Sequence, residues 1–176
     1  MDPREKTKAI LIAIVRAAGG SFNGKTRLYK AFYVAHLFHF RDQRGVLSDH
    51  PMVRMPRGPA VDSGDMLLAE LCNAGFLRMS KRPNGPYTEE VFAAEKDYPV
   101  NLSTAESESV RRAVEWIGEW SARELSEWTH EFSNTWADTD DGHPMNIYAD
   151  LLSESDYEQM KRLHNEVGSV VHVLLA

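Results

Sequence analysis

Between Lys25 and Arg41 the sequence KTRLYKAFYVAHLFHFR places Leu28, Phe32, Ala35 and Phe38 at three- and four-residue steps, the spacing of one helical face. It also puts Tyr29, Tyr33, Val34 and Leu37 on the remaining faces. A helix apolar round most of its circumference has to be covered on more than one side. The segment is therefore read as the centre of the core, with the rest of the chain packed about it. With 176 residues, 43% of them apolar and 26% charged, there is enough chain to do so as one soluble domain.

The flanking pattern is largely helical. Asp2 is placed to cap a first helix that opens on Pro3, with Glu5 reaching back, and the helix stops at Gly19-Gly20. From Asp42 to Val61 the pattern breaks into Gly, Pro and short apolar pieces, and Met52 to Met55 reads as a brief strand. Asp62 or Ser63 is expected to cap a third helix ending at Gly75. Phe76–Ser80 and Tyr87–Ala93 then flank an Asn84-Gly85 turn, predicting one β-hairpin. Ser103 with Glu106 and Ser121 with Glu124 are capping boxes opening two more helices. A polar loop over Ser133–His143 follows. Ser153 with Asp156 starts a last helix within residues 153–176, with Tyr157, Met160, Leu163 and Val167 spaced to dock. The expected fold is mainly α: a single-domain helical bundle over residues 1–176 with one small β-hairpin.

Charge is distributed unevenly along the chain. Residues 1–90 carry 14 basic and 9 acidic side chains, residues 91–176 carry 6 and 17, and the formal net charge is −6. Such polarity suits a charged partner or two halves with complementary faces. The single cysteine, Cys72, rules out an internal disulfide and any CxxC pair. The apolar run Ala9–Val15 is too short to span a membrane and lacks a signal-peptide cleavage pattern, so a cytoplasmic setting is expected and no membrane partner.

Candidate chemistry is sparse. Cys72 lies near the end of an amphipathic helix, where a free cysteine serves as a small apolar filler more readily than as a nucleophile. His130, Glu131, Asp138, Asp140, Asp141 and His143 follow neither the calcium-loop nor the HExxH spacing, and His36 with His39 reads as a boundary pair, so no metal is assigned. No glycine-rich phosphate loop occurs, and no cofactor is expected. A helix, the Gly75 stop and a hairpin bearing Lys81 and Arg82 are arranged as in a winged helix-turn-helix. The helix before that hairpin, however, carries Asp62, Asp65 and Glu70 and no basic residue, which would repel phosphates.

Three motifs in order resemble the Panacea domain family of SocA-like antitoxins and related phage-associated and bacterial proteins. They are Lys25–Tyr33 (KTRLYKAFY), Arg57-Gly58-Pro59-Ala60-Val61, and Ser121–Glu131 (SARELSEWTHE) with Trp136 and Ile147–Leu152 after it. The Leu-Ser-x-x-Thr-His run is the most specific, and the resemblance covers about residues 8 to 152. Arg57 stands where the family carries an aromatic residue. The resemblance implies a mostly helical domain with a small β element, acting as the neutralising half of a toxin–antitoxin pair. It acts either by direct binding or as an adaptor that delivers the toxin to a AAA+ protease, and no catalytic residue comes with the family. The family-motif positions are Gly58, Pro59, Val61, Leu125, Ser126, Thr129, His130 and Trp136.

Gly58-Pro59 is read as setting the path of the chain into the third helix. Ser126, Thr129 and His130 are placed on one side of their helix to hydrogen-bond neighbouring segments. Trp128 and Trp136 are read as anchors, of the core or of an interface. Met52, Arg54, Met55 and Arg57, with Glu124, Glu127 and Trp128, are the expected partner-binding residues, because Met, Arg and aromatic side chains carry most interface energy. The expected function is thus a non-enzymatic antitoxin that binds a protein toxin, with a winged-helix DNA-binding regulator as the alternative. The terminal Val171–Ala176 reads as a helix end or a protease-recognition tail.

Overall fold

The computed structural model describes residues 2–163. The central helix is α2, Lys25–Gln43, in which Leu28, Ala31, Phe32, Tyr33 and Ala35 have no exposed surface. Around it pack α1 (Pro3–Ala17), α4 (Thr104–Ile117) and α5 (Ala122–Phe132), together with a 3-10 turn at Ile147–Leu151. α3 (Gly64–Asn73) lies against α1, and α6 (Asn134–Asp138) joins α5 to the 3-10 turn.

The hairpin expected from the sequence is present as β4 (Leu77–Asn84) and β5 (Tyr87–Ala94), paired from Leu77↔Ala94 to Asn84↔Tyr87. Its two-residue turn is Gly85-Pro86, one step later than the Asn-Gly reading. Gly85 takes φ +59 and proline fixes the next φ, the glycine-first pattern of a type II′ turn. β1 (Ser21–Asn23) joins β5 and completes a three-stranded antiparallel sheet, β1-β5-β4. A second antiparallel sheet, β3-β2-β6, is made by Met52–Met55, Gly58–Val61 and Pro144–Met145. The fold is mainly α as expected, but two small sheets replace the single hairpin, and α2 is covered by strands as well as helices. Met52 pairs with both Val61 and Met145. That contact joins positions far apart in the chain, so no local spacing announces it.

Both capping boxes are formed, with Ser103 and Glu106, and Ser121 and Glu124, exchanging backbone bonds. Asp2 caps α1 by accepting from the Arg4 amide at 2.9 Å. Glu5 does not reach back; it engages Lys8 and the Tyr98 hydroxyl. Ser63 occupies the cap position of α3 at φ +51 without a side-chain bond. α3 is held instead by Asp65, which accepts from the Tyr29 hydroxyl (2.8 Å) and from Lys25 (2.9 Å).

The polar stretch Ser133–His143 is not all loop. Ser133 ends α5 and caps α6, accepting from the Trp136 amide at 3.0 Å. Ser153 caps a helical stretch over 154–163, where Tyr157 is buried and Leu163 is exposed. The expectations for Val167 and Val171–Ala176 lie outside the described residues. Among the described residues no helix is long and apolar enough to cross a membrane.

Candidate functional site

The family-motif residues converge where α2, the β2–β3 turn and α5 meet. Lys30, on the inward side of α2, is 1% exposed, and its side-chain nitrogen donates to the Pro59 carbonyl at 3.0 Å. No carboxylate pairs with it among the described residues, and burial draws its pKa down to about 7. Gly58 sits at φ +96 directly over this group: a Cβ there would come within 3.0 Å of both Lys30 Nζ and Thr129 Oγ1. Glycine is required twice, for the backbone conformation and for the close approach. Thr129 is fully buried, and its hydroxyl turns back to the carbonyls of its own helix, Leu125 (3.0 Å) and Ser126 (2.9 Å). Ser126 likewise donates to Ala122, at 2.7 Å. The expectation that these hydroxyls bond neighbouring segments is therefore corrected. A helix offers its own carbonyl four residues back at hydrogen-bond distance, and the neighbouring segment here supplies a glycine Cα.

His130 extends the arrangement to α6. Its ring stacks on Trp136 with centroids 3.8 Å apart and planes 13° from parallel, and the Arg54 guanidinium lies 4.4 Å from the same indole. The Trp136 N–H donates to the Met55 carbonyl and Arg54 Nε to the Trp136 carbonyl, each at 2.9 Å, while Arg54 also pairs with Asp141. Burial, and then the positive charge of Lys30, hold the His130 pKa below its ordinary value. Beneath α6, buried Asp150 accepts from the Tyr33 hydroxyl (2.6 Å), the Ser133 hydroxyl (2.7 Å), and the Thr135 amide (3.0 Å) and hydroxyl (2.9 Å). The β2–β3 turn is held by the bonds from Trp136 to the Met55 carbonyl and from Lys30 to the Pro59 carbonyl, and its Met55, Pro56 and Arg57 face solvent beside a cavity of about 280 Å³ that Lys30 and Tyr29 also line.

The outer side of α4 and α5 carries a row of aromatic rings. Trp120 meets Trp116 at 5.1 Å, Trp116 meets Trp128 at 4.6 Å, and Trp128 stacks on Phe132 at 4.9 Å. Trp116, Trp120 and Phe132 are 37%, 40% and 37% exposed, while Trp128 between them is half-buried against the core, so the row presents three of its four rings to water. Glu115, Glu119, Glu124, Glu127 and Glu131 are exposed on the same two helices and the turn between them. Glu119 and Glu131 make no ion pair among the described residues.

The residues expected to bind a partner divide in two. Met55, Arg57, Glu124 and Glu127 are exposed and Trp128 is half-buried. Met52, at 2% exposure, is a core residue and presents nothing to a partner, because β2 is the middle strand of its sheet and Met52 is paired with Val61 on one side and Met145 on the other. Arg54 is half-buried and bonded within the chain. Among the family positions Gly58, Pro59, Val61, Leu125 and Thr129 are buried, and Ser126, His130 and Trp136 half-buried. The sequence reading missed Lys30, Asp150, Trp116 and Trp120. The four-residue Trp116–Trp120 step is a signal for the last two, whereas Lys30 is one of several charged positions along α2 and nothing in its spacing sets it apart.

Other candidates are placed elsewhere. Burial pushes the Cys72 thiol up from its ordinary pKa. His36 and His39 turn to different partners, the Phe32 carbonyl at 2.8 Å and the Ser109 hydroxyl at 3.1 Å. On the hairpin, Arg78 and Arg82 pair with Glu95 and Glu89, which offsets the charge a DNA-contacting wing would offer.

Residues 28–137 match the family model described as antitoxin SocA-like, Panacea domain. No curated protein matches the chain, and neither does any solved structure. The matched stretch runs from the start of α2 to Trp136 and its neighbour, well over half of the 176 residues, and this protein belongs to the Panacea domain family of SocA-like antitoxins.

Proposed function

We propose that this protein is the neutralising half of a cytoplasmic toxin–antitoxin pair, a binding protein and not an enzyme. Its toxin docks on the aromatic row of α4 and α5. The observation that carries this reading is the run of touching rings Trp120, Trp116, Trp128 and Phe132, in which half-buried Trp128 joins three exposed rings inside the stretch that matches the family. Contiguous exposed aromatic surface with a charged rim is the composition of an interaction site, and Trp is the strongest single anchor type. The Met55–Arg57 turn adds an exposed Met and Arg, held by the Lys30–Pro59 hydrogen bond, so little order is lost on binding. An adaptor role, in which the bound toxin is handed to a AAA+ protease, is the finer form of the same reading.

Co-expression with the product of the neighbouring gene tests it. The wild-type chain is expected to restore growth and to co-purify stoichiometrically with that product. Trp116→Ala combined with Phe132→Ala is expected to abolish both while leaving the far-UV spectrum unchanged. Rescue by the double variant would remove the aromatic row from the account. Retention of duplex DNA with a steep salt dependence and no protein partner would return the chain to the winged-helix reading.

A further inference from the structure

The aromatic row carries a repeated pattern that apolar docking alone does not explain. Glu115-Trp116 and Glu119-Trp120 stand four residues apart, and so do Glu127-Trp128 and Glu131-Phe132. A glutamate thus directly precedes every ring of the row, and all four glutamates are exposed. In α5 the pair recurs after one helical turn, so a carboxylate strip runs lengthwise beside the aromatic one.

Cations are scarce around these carboxylates. Residues 115–132 hold the four glutamates and Glu124 against one arginine, Arg123. Arg123 pairs with Glu127, and Arg111 with Glu108 and Glu115, while Arg112 turns to Asp42 and the Phe38 ring. Glu119 and Glu131 make no ion pair among the described residues. Covering the rings takes water from the adjoining carboxylates, which is costly unless the covering surface brings cations. The rings attract the same groups, since a cation is favoured over an indole face. Arginine meets both needs at once, because its planar guanidinium stacks on a ring while its N–H groups reach a carboxylate. Arg54 does this within the chain, 4.4 Å from the Trp136 ring and paired with Asp141.

The backbone restricts the partner's shape. α4 and α5 bond their main-chain groups internally, so they offer no edge to an extended strand. A helix brings its own backbone bonds and needs only side-chain contact. The centroid steps of 5.1, 4.6 and 4.9 Å make the row at most about 15 Å long, the length of about ten helical residues. Symmetric pairing with a second copy would set glutamates against glutamates.

We infer that the toxin segment seated on the row is an amphipathic helix of about ten residues whose apolar face is flanked by arginines, a conclusion that rests on the row being the toxin-docking surface. The test uses the full chain and two labelled helical peptides of about fourteen residues, each a leucine stripe flanked either by arginines or by glutamates. Fluorescence anisotropy is read at about 50 mM and about 500 mM salt. The arginine peptide is expected to bind saturably and the glutamate peptide not at all. Glu119→Gln with Glu131→Gln should weaken binding about ten-fold at low salt and less at high salt. Glu95→Gln with Asp97→Asn removes the same charge from exposed positions after the hairpin and should leave binding unchanged. Trp116→Ala with Phe132→Ala should lose it at both salt concentrations. Equal binding of the two peptides, or equal effects of the two charge-neutralised pairs, overturns the arginine assignment. Binding of neither peptide, or binding that survives Trp116→Ala with Phe132→Ala, overturns it too. Failure of the docking reading itself is read separately, as growth rescue by the Trp116→Ala, Phe132→Ala variant.

Discussion

Replacing Gly58 by alanine addresses the contact on which the β2–β3 turn depends. At φ +96 an L-residue pays backbone strain of about 1–3 kcal/mol. The added methyl also comes within 3.0 Å of Thr129 Oγ1 and Lys30 Nζ, both on buried side chains of helices that cannot easily retreat. Overpacking of this kind costs about 1–3 kcal/mol. The sum, about 4 kcal/mol, is a large part of the stability of a domain this size. Urea unfolding followed by tryptophan fluorescence should lower the midpoint by about 2 M, taking a slope of about 2 kcal/mol per molar. Thr129→Ala alone removes only a hydroxyl bonded within its own helix and should cost about 1 kcal/mol. If the clash is real, the double variant is more stable than the sum of the two predicts, by at least about 1 kcal/mol. A Gly58→Ala midpoint within about 0.3 M of wild type, or strict additivity with Thr129→Ala, would refute the reasoning.

Further outcomes follow from the buried polar groups. Because the folded-state pKa of Lys30 is lowered to about 7 from 10.5, the unfolded chain binds more protons above that value, so stability should rise with pH from about 7 towards about 9.5. Tyr29 and Tyr33, whose pKa values are raised, reverse the trend at still higher pH. Urea midpoints at about pH 6 and about pH 9 measure the rise, and Lys30→Met should flatten it. Asp150→Ala strands four donors and should lower stability by about 3 kcal/mol or more, read as a fall in Tm by circular dichroism. Cys72 should react with iodoacetamide more slowly in the folded chain than in urea, since burial disfavours its thiolate; equal rates would contradict its placement.

Much of the scaffold is legible in the chain because its causes are local. The apolar circumference of α2 demands burial wherever the helix sits, and Leu28, Phe32 and Tyr33 are indeed enclosed. Ser103 and Ser121 form their capping boxes because both partners lie within one helical turn. The hairpin is written in its turn residues. The Leu-Ser-x-x-Thr-His run and Gly58-Pro59 are recognisable as a family signature without any knowledge of what they touch.

What those residues do was decided elsewhere. The second sheet joins Met52 to Met145, and Arg54 reaches Trp136, pairings between segments whose own spacing is silent about each other. Thr129 reads as a hydrogen-bonding residue and is instead the floor against which Gly58 rests. Lys30 reads as one more charged helix position, and only enclosure by the β2–β3 turn lowers its pKa and makes it a buried donor to Pro59. By itself the sequence determined where helices begin, which one lies at the centre and which family the chain joins, because capping bonds and periodicity act over a few residues. Tertiary structure alone decided which side chains are enclosed, which aromatic rings stay in water and which polar atoms lack partners, because burial depends on what distant segments bring against each position.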